Sequence, residues 1–369
     1  MLYSRRKTLA LIGGGVVIAA AASSGAFLAT RTPAEALLPW DRAGGYEEPR
    51  MYALSWAILA PNPHNRQPWT AQMIGVDRVR IFRDRSRNLP HTDPFDRQLT
   101  IGMGCFLELM ALAAAQKGYA ITFELFPDGE EGAVADALFI ANRAQPDPLF
   151  AYGLARRSCK KPFLDKKVPE EEAKWLGDYA HIIVDEKRVE ALRALTFKAW
   201  MVEALTKRTM QESVDLMRFG RAEIERNPDG IALGGPFLET LMMAGLLSRA
   251  DQATPTSNGF KQGVSIYKEM LAATPAYAVL ASPTNTRLDQ IEAGRRWLRL
   301  NLATAARGLA LHPVSQCLQE FPEMAECYQD AHALLVAPGQ TVQMLGRLGY
   351  GPQTPRTPRW PIESRLINV

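Results

Sequence analysis

A chain of 369 residues with 47% hydrophobic side chains can bury a full core, as one large domain or two, which excludes a disordered protein. Its formal net charge of +4 includes Arg5, Arg6 and Lys7, so the remainder is nearly balanced and offers no dense basic stripe for nucleic acid. Cys105, Cys159, Cys317 and Cys327 show no C-x-x-C spacing, so no metal site is expected; a disulfide between any two is left open.

In chain order, Arg5 and Arg6 precede a weakly apolar run that carries no charge from Thr8 through Thr30. This resembles a twin-arginine export signal, a receptor-read address, with small-residue cleavage sites at Ala20-Ala21-Ala22 or Ala34-Glu35-Ala36. Residues 1–36 are thus expected to be a signal segment read by the twin-arginine export machinery, with a periplasmic or otherwise exported product. The competing expectation is an uncleaved membrane anchor, since the run is long enough to cross a bilayer, and membrane contact would then be through this segment only. Export of folded protein fits a cofactor loaded in the cytoplasm.

Thr32 to Gly45, punctuated by Pro and Gly, reads as a tether. Apolar residues at helical spacing (Met51, Leu54, Ile58) predict a helix from about Glu47 to Ala60, stopped by Pro61. The stretch Ala60-Pro61-Asn62-Pro63-His64-Asn65-Arg66-Gln67-Pro68-Trp69 follows, in which three prolines forbid helix and stiffen the backbone. A stiff loop of this kind would hold out the amides of Asn62, Asn65 and Gln67, whose donors and acceptor suit the edge of a planar heterocycle such as a flavin pyrimidine ring. The alternative is a Pro-rich connector that satisfies only its own backbone.

Short strands are predicted at Trp69 to Ile74 and Val79 to Phe82, then a long apolar helix from Asp96 to Gly118 and strands at Ala120 to Phe126 and Ala137 to Ile140. The second half opens with a helix from Leu149 to Ala155 and the basic run Arg156-Arg157-Ser158-Cys159-Lys160-Lys161, which demands solvent or an anion. A strand is predicted at His181 to Val184 and helix from Lys187 to about Arg226. An apolar, Met-rich run from Phe237 to Leu247 and a polar loop from Thr254 to Gly259 come next. A strand (Tyr277 to Ala281), a helix (Asp289 to Gly308), an extended piece near Val314, a helix to about Leu335, a strand (Gln343 to Leu348) and a Pro- and Arg-rich tail complete the chain.

Two helices match. Gly104 to Gly118 and Gly294 to Gly308 have equal length, and in that alignment Leu112 falls on Leu302, Ala113 on Ala303, Ala115 on Ala305 and Lys117 on Arg307. Capped Leu- and Ala-rich helices can agree by chance, but the surrounding order of elements also repeats. A duplicated unit packed about a pseudo-twofold axis follows, with Gly104, Ala113, Gly294 and Ala303 allowing close helix approach.

The Pro-rich loop resembles the Pro-Ser-x-x-Asn-x-Gln-Pro-Trp loop of nitroreductase-like flavoproteins, Arg156-Arg157-Ser158-x-Lys160 resembles their Arg-x-Ser-x-Arg/Lys motif, and Arg359-Trp360-Pro361 looks like their terminal phosphate contact. The resemblance implies an α+β fold of two fused α/β/α nitroreductase-like halves, residues 46–145 and 146–369, forming an internal pseudo-dimer with no obligatory homodimer. One FMN would lie at their junction, since the loop occurs only in the first half and the basic motif and terminal arginine only in the second. The complementary site would be dead, with Glu47-Glu48-Pro49-Arg50 in place of a basic motif. Carried over by residue, Arg156, Arg157, Ser158 and Lys160 would meet the flavin ring and ribityl chain. Arg359 and Arg356 would hold the phosphate, with charge-assisted bonds worth about 1.5–3 kcal/mol each toward the roughly 8 kcal/mol of a micromolar complex. Pro61, Asn62, Pro63, Asn65 and Gln67 would approach from the facing half. Here Asn62 and Pro63 replace the family's hydroxyls in the loop, and Lys160 stands where arginine is common.

The implied function is FMN-dependent, two-electron transfer of hydride to a small-molecule electron acceptor such as a nitroaromatic or quinone, with no side chain identified as a catalytic acid. Two alternatives are a non-catalytic FMN-binding or flavin-sequestering protein and a structural relic without flavin. The insertion at about 205–263 is expected to be a lid presenting Phe237, Met242 and Met243, the alternative being that these fill core. Gly102-Met103-Gly104 lacks the third glycine of a dinucleotide motif, and no Gly-x-Ser-x-Gly, His-Glu-x-x-His or phosphate-binding loop occurs.

Overall fold

In a computed structural model that describes residues 31–367, the chain is an α+β protein built from two four-stranded antiparallel sheets. The predicted signal run up to Thr30 lies outside the described residues. The stretch read as a tether instead contains helix α1 (Ala34–Arg42), which buries Ala36, Pro39 and Trp40. Its apolar positions Ala36 and Trp40 are four apart and so share one face.

The first half runs α2 (Pro49–Ala57), β1 (Trp69–Ile74), β2 (Arg78–Arg83), α3 (Arg97–Gln116), β3 (Ala120–Leu125) and β4 (Ala135–Ile140). Glu48, expected only to repel phosphate, caps α2 by accepting from the Met51 amide at 2.7 Å. The second half begins, after a short 3₁₀ turn at Pro148–Tyr152 in place of the predicted helix, with α4 (Glu170–Leu176) and β5 (His181–Ile183). The predicted continuous helix after β5 is broken into α5 (Glu186–Leu205), α6 (Lys207–Asp215), strand β6 (Met217–Phe219) and α7 (Gly220–Arg226). Gly220, at φ +74°, supplies the last break with a backbone conformation that glycine tolerates best. Then come β7 (Ile231–Leu233), α8 (Pro236–Met243), α9 (Arg249–Ala253), α10 (Asn258–Ala272), β8 (Ala276–Ser282), α11 (Arg287–Ala306), β9 (Ala310–Pro313), α12 (Ala325–Leu335) and β10 (Thr341–Gly349). Part of the predicted polar loop at 254–259 thus opens a helix, whose first turn Ser257 caps by accepting from the Phe260 amide.

The sheets share one topology. The first has the order β1-β2-β4-β3 and the second β5-β8-β10-β9, each with a 20-residue helix between its second and third strands in sequence. Arg97 opens α3 and Arg287 opens α11, and Ala120 and Ala310 begin the strands that follow at the same interval. The helices meet through their small residues, and the contact is reciprocal. A Cβ on Gly104 would stand 2.1 Å from the Ile291 carbonyl oxygen, and one on Gly294 would stand 2.0 Å from that of Ile101. The opening arginines cross reciprocally as well. Arg97 donates to the carbonyls of Gln343 (2.7 Å) and Leu318 (2.6 Å), while Arg287 donates to the carbonyl of Phe95 at 2.8 Å.

Helix α3 is apolar and long enough to cross a membrane, but it is almost wholly buried in the core. All four cysteines are free and buried. The tail crosses back to the first half, where Leu366 pairs with Ala71 of β1, and Arg365 Nε donates to the carbonyl of Trp69, the first residue of that strand, at 3.0 Å.

Candidate functional site

The loop between α2 and β1 is strained. His64, Asn65 and Gln67 all have left-handed φ, at +47°, +52° and +49°, a conformation that costs most side chains roughly 1–2 kcal/mol and that Asn tolerates better than the other two. Its amides turn inward rather than outward, which corrects the expectation of presented groups. Asn62 Oδ1 accepts from the Gln67 amide at 2.7 Å, and its Nδ2 donates to the Ala60 carbonyl at 3.1 Å. Gln67 is 0% exposed; its Nε2 donates to Pro228 O at 2.7 Å and its Oε1 accepts from the Trp360 amide at 2.9 Å. Asn62 and Pro63 rest on Gly102, where a Cβ would sit 3.2 Å from each. That close approach accounts for the first glycine of Gly102-Met103-Gly104; the helix crossing accounts for the second.

Asn65 joins the loop to the tail. Its Nδ2 donates to Pro358 O at 3.1 Å, and its Oδ1 accepts from Arg359 Nη1 at 2.6 Å. Arg359 Nη2 reaches the carbonyls of Leu59 (3.1 Å) and Ala60 (3.2 Å), just beyond the end of α2. The Leu59 carbonyl also accepts from Arg156 Nη2, so the loop, the basic run and the tail converge on one point. Carbonyls at a helix C-terminus carry partial negative charge and receive cations favourably.

Arg156 and Arg359 are each 3% exposed, and neither has a carboxylate partner among its described hydrogen bonds. Arg156 Nη1 is 3.4 Å from Asn301 Oδ1, while Asn301 Nδ2 donates to Arg157 O at 3.3 Å. Arg157 folds back on the Leu154 and Arg156 carbonyls, and Arg356 pairs with Asp41 at 2.5 Å. The Nε–H groups of Arg156, Arg157 and Arg359 are buried without a partner. Burial, then the neighbouring Arg156 and Arg157, pull the Arg359 pKa well below its ordinary value. Burial likewise lowers Arg156 to about 10. Concentrated, desolvated positive charge with orphaned donors is the electrostatic signature of an anion site.

Trp40 of α1 lies against this cluster, with its ring centroid 4.8 Å from the Arg157 guanidinium, 5.6 Å from Arg359, 5.7 Å from Arg356 and 5.9 Å from Arg156. Neither Trp40 nor Asn301 figures among the residues expected from sequence. The signals were present: Ala36 and Trp40 at helical spacing, and Asn301 set between Leu300 and Leu302 in the Leu- and Ala-rich last turns of its helix.

Ser158 and Lys160 stand further along the basic run. Ser158 makes a parallel bridge to Leu311 of β9. Lys160 keeps more than a third of its surface accessible, yet its crowded surroundings lower its pKa by desolvation. Burial, followed by the charges of Lys160 and Arg66, depresses His64 to about 4 and leaves it neutral at neutral pH. His312 is driven down by burial, then by Arg347 and Lys160. Among the described residues no cluster of His, Cys, Asp and Glu could hold a metal ion. The expected Pro61 and Pro63 flank Asn62 in the loop and, with Asn65, Gln67, Arg156, Arg157, Arg356 and Arg359, complete the assembly.

No family model matches the chain. A protein of Mycobacterium tuberculosis named as an NAD(P)H nitroreductase is 23% identical over 320 residues, 83% of this chain and 87% of the relative. A second protein of that organism, the NAD(P)H nitroreductase Acg, is 30% identical over 122 residues, 31% of this chain and 35% of the relative. Over most of its length, then, the chain is similar to proteins named as nitroreductases. Among solved structures, a nitroreductase of Anabaena variabilis aligns over 80% of this chain and 82% of its own at 11% identity and TM-score 0.42. The FMN-dependent nitroreductase NfnB of Mycobacterium smegmatis, solved with NADPH, aligns over 57% and 92% at 19% identity and TM-score 0.36.

Proposed function

We propose that this nitroreductase-like chain is an FMN-dependent oxidoreductase in which one flavin is held where the two halves meet, and that it delivers two electrons as hydride to a small electrophile of nitroaromatic or quinone type. The observation that carries the reading is the convergence of Arg156, Arg157, Arg356 and Arg359, with three buried, unpartnered Nε–H groups among them. A phosphate needs donors of this number and charge. Arg356 and Arg359 would hold that phosphate, and Arg156, Ser158 and Lys160 the ribityl and ring end. Bound FMN would supply the redox chemistry. Asn62 and Gln67 act on the loop rather than on the ring, holding the strained backbone that aims Asn65 at Arg359. Lys160 or Arg156 would supply a cation where negative charge develops on a reduced flavin, and neutral His64 and His312 add no competing acid.

Titration of purified protein with FMN, followed by anaerobic addition of candidate reductants including NADPH, tests this reading. Flavin absorbance should appear on binding and bleach on reduction. Absence of any FMN complex would sink it. Bleaching by no reductant would favour a flavin-holding protein without turnover, a second reading supported by the burial of the arginines beneath Trp40.

The insertion supports a lid reading by its attachment and its surface. It touches the loop through Pro228 O and through the Gly230 amide, which donates to Asn65 O at 3.2 Å, while Phe237 and Met243 stay 68% and 65% exposed rather than filling core. Limited proteolysis should show FMN-dependent protection of 236–247; equal cleavage in both states would remove the lid. Export through the twin-arginine segment fits the same scheme, and mass measurement of the mature protein would reveal whether the segment is removed and whether the cut falls before α1, whose Ala36 carbonyl accepts from the Arg359 amide.

A further inference from the structure

Helix α1 is fastened to the tail that carries the phosphate-side arginines. The Arg359 amide donates to Ala36 O at 2.9 Å, Trp40 Nε1 donates to Thr357 O at 2.7 Å, and Arg356 reaches Asp41 at 2.5 Å. Trp40 is 2% exposed and lies within cation–π range of all four guanidiniums, on the same cluster whose Nε–H groups lack partners. With ring and cations this close, an anion of phosphate size has no route to those donors unless one of them moves.

The helix is suited to be the part that moves. It has nine residues, Pro39 inside it removes one backbone donor, and no side chain caps its N-terminus, so it has little stability apart from its docking. By contrast Arg359 is tied to Asn65, Leu59 and Ala60 and cannot withdraw without releasing the loop. Upstream, Arg31 pairs with Glu239 of α8 at 3.0 Å, which links this strap to the insertion.

We propose that residues 34–42 form a gate over the arginine cluster, with Trp40 as its latch: the strap lifts to admit the phosphate end of the ligand and re-docks to retain it. The ligand's identity as FMN rests on the function proposed above; the gate itself requires only an anion at the guanidiniums. A gated site binds through its open fraction, so association saturates at the opening rate and rises when the latch is weakened.

The test is stopped-flow association of FMN and of inorganic pyrophosphate with the full-length protein, beside hydrogen exchange of residues 34–42. In the native protein the association rate should level off with ligand concentration, and exchange in 34–42 should slow when ligand is present. Trp40→Ala should remove the plateau and speed both association and release by about tenfold. Asp41→Asn, on the exposed side of the strap, should shift both in the same direction by a smaller factor and serves where Trp40→Ala fails to fold. Pyrophosphate binding with these kinetics and no FMN binding would overturn the flavin reading and uphold the gate. Association linear in ligand and unchanged in both variants, or exchange of 34–42 indifferent to both ligands, would overturn the gate.

Discussion

Asn65 and Arg359 clasp each other across almost the full described chain, Arg359 Nη1 giving a hydrogen bond to Asn65 Oδ1 at 2.6 Å while Asn65 Nδ2 bonds Pro358 O at 3.1 Å. The pair fixes the tail against a loop whose backbone would otherwise relax from three left-handed residues. Arg359→Lys keeps the charge but cannot serve Asn65, Leu59 and Ala60 together. It is expected to weaken FMN binding by at least about tenfold, the loss of one charge-assisted hydrogen bond, as read by quenching of flavin fluorescence. Undiminished affinity would remove Arg359 from the site.

Asn65→Ala tests the other partner. It strips two hydrogen bonds and leaves an αL position with a less suitable residue, so a stability loss of about 1–3 kcal/mol in urea unfolding is expected. FMN affinity should fall with it, because the tail is no longer held.

The helix crossing admits no side chain. Gly104→Ala would drive a methyl to 2.1 Å from the Ile291 carbonyl oxygen, and the backbones of α3 and α11 must separate. The expected destabilisation is about 3 kcal/mol by chemical denaturation, with Gly294→Ala matching it because the contact is reciprocal.

The arginines that open the two long helices occupy equivalent places but unequal environments. Arg97 is 1% exposed, so Arg97→Ala strands the Leu318 and Gln343 carbonyls and should cost about 3 kcal/mol. Arg287, partly solvated, should cost about 1 kcal/mol on truncation. Equal losses would contradict the difference in burial.

Glu203 gives a pH signature. Burial raises its pKa to about 7, and Gln319, whose Nε2 bonds it at 3.0 Å, only partly offsets this. Because the folded value lies above the unfolded one, its favourable contribution is present below about pH 4.5 and is lost as pH rises through 7. Glu203→Gln should therefore leave stability near native at pH 5 and raise it by about 2 kcal/mol at pH 8, seen as a higher Tm. Asp93, pushed up to about 6 by burial, imposes the same trend on both proteins and cancels in the comparison.

The amino-acid sequence by itself determined the repeat. Glycine pairs at equal spacing recur in two Leu- and Ala-rich helices, each followed by an extended stretch, and close packing of equivalent units accounts for them; the equal interval to the following strands emerged only in the fold. It also marked the loop, the basic run and the tail as chemically unusual. Tertiary structure decided where their polar groups point. Asn62 and Gln67 are spent on the loop and on Pro228, Asn65 on the tail, and Trp40 is pressed among four cations by a helix that composition presented as a tether. Sequence pattern records which face of an element is apolar; the partner of a buried amide or guanidinium is set by segments hundreds of residues distant, and only the packed chain brings these together.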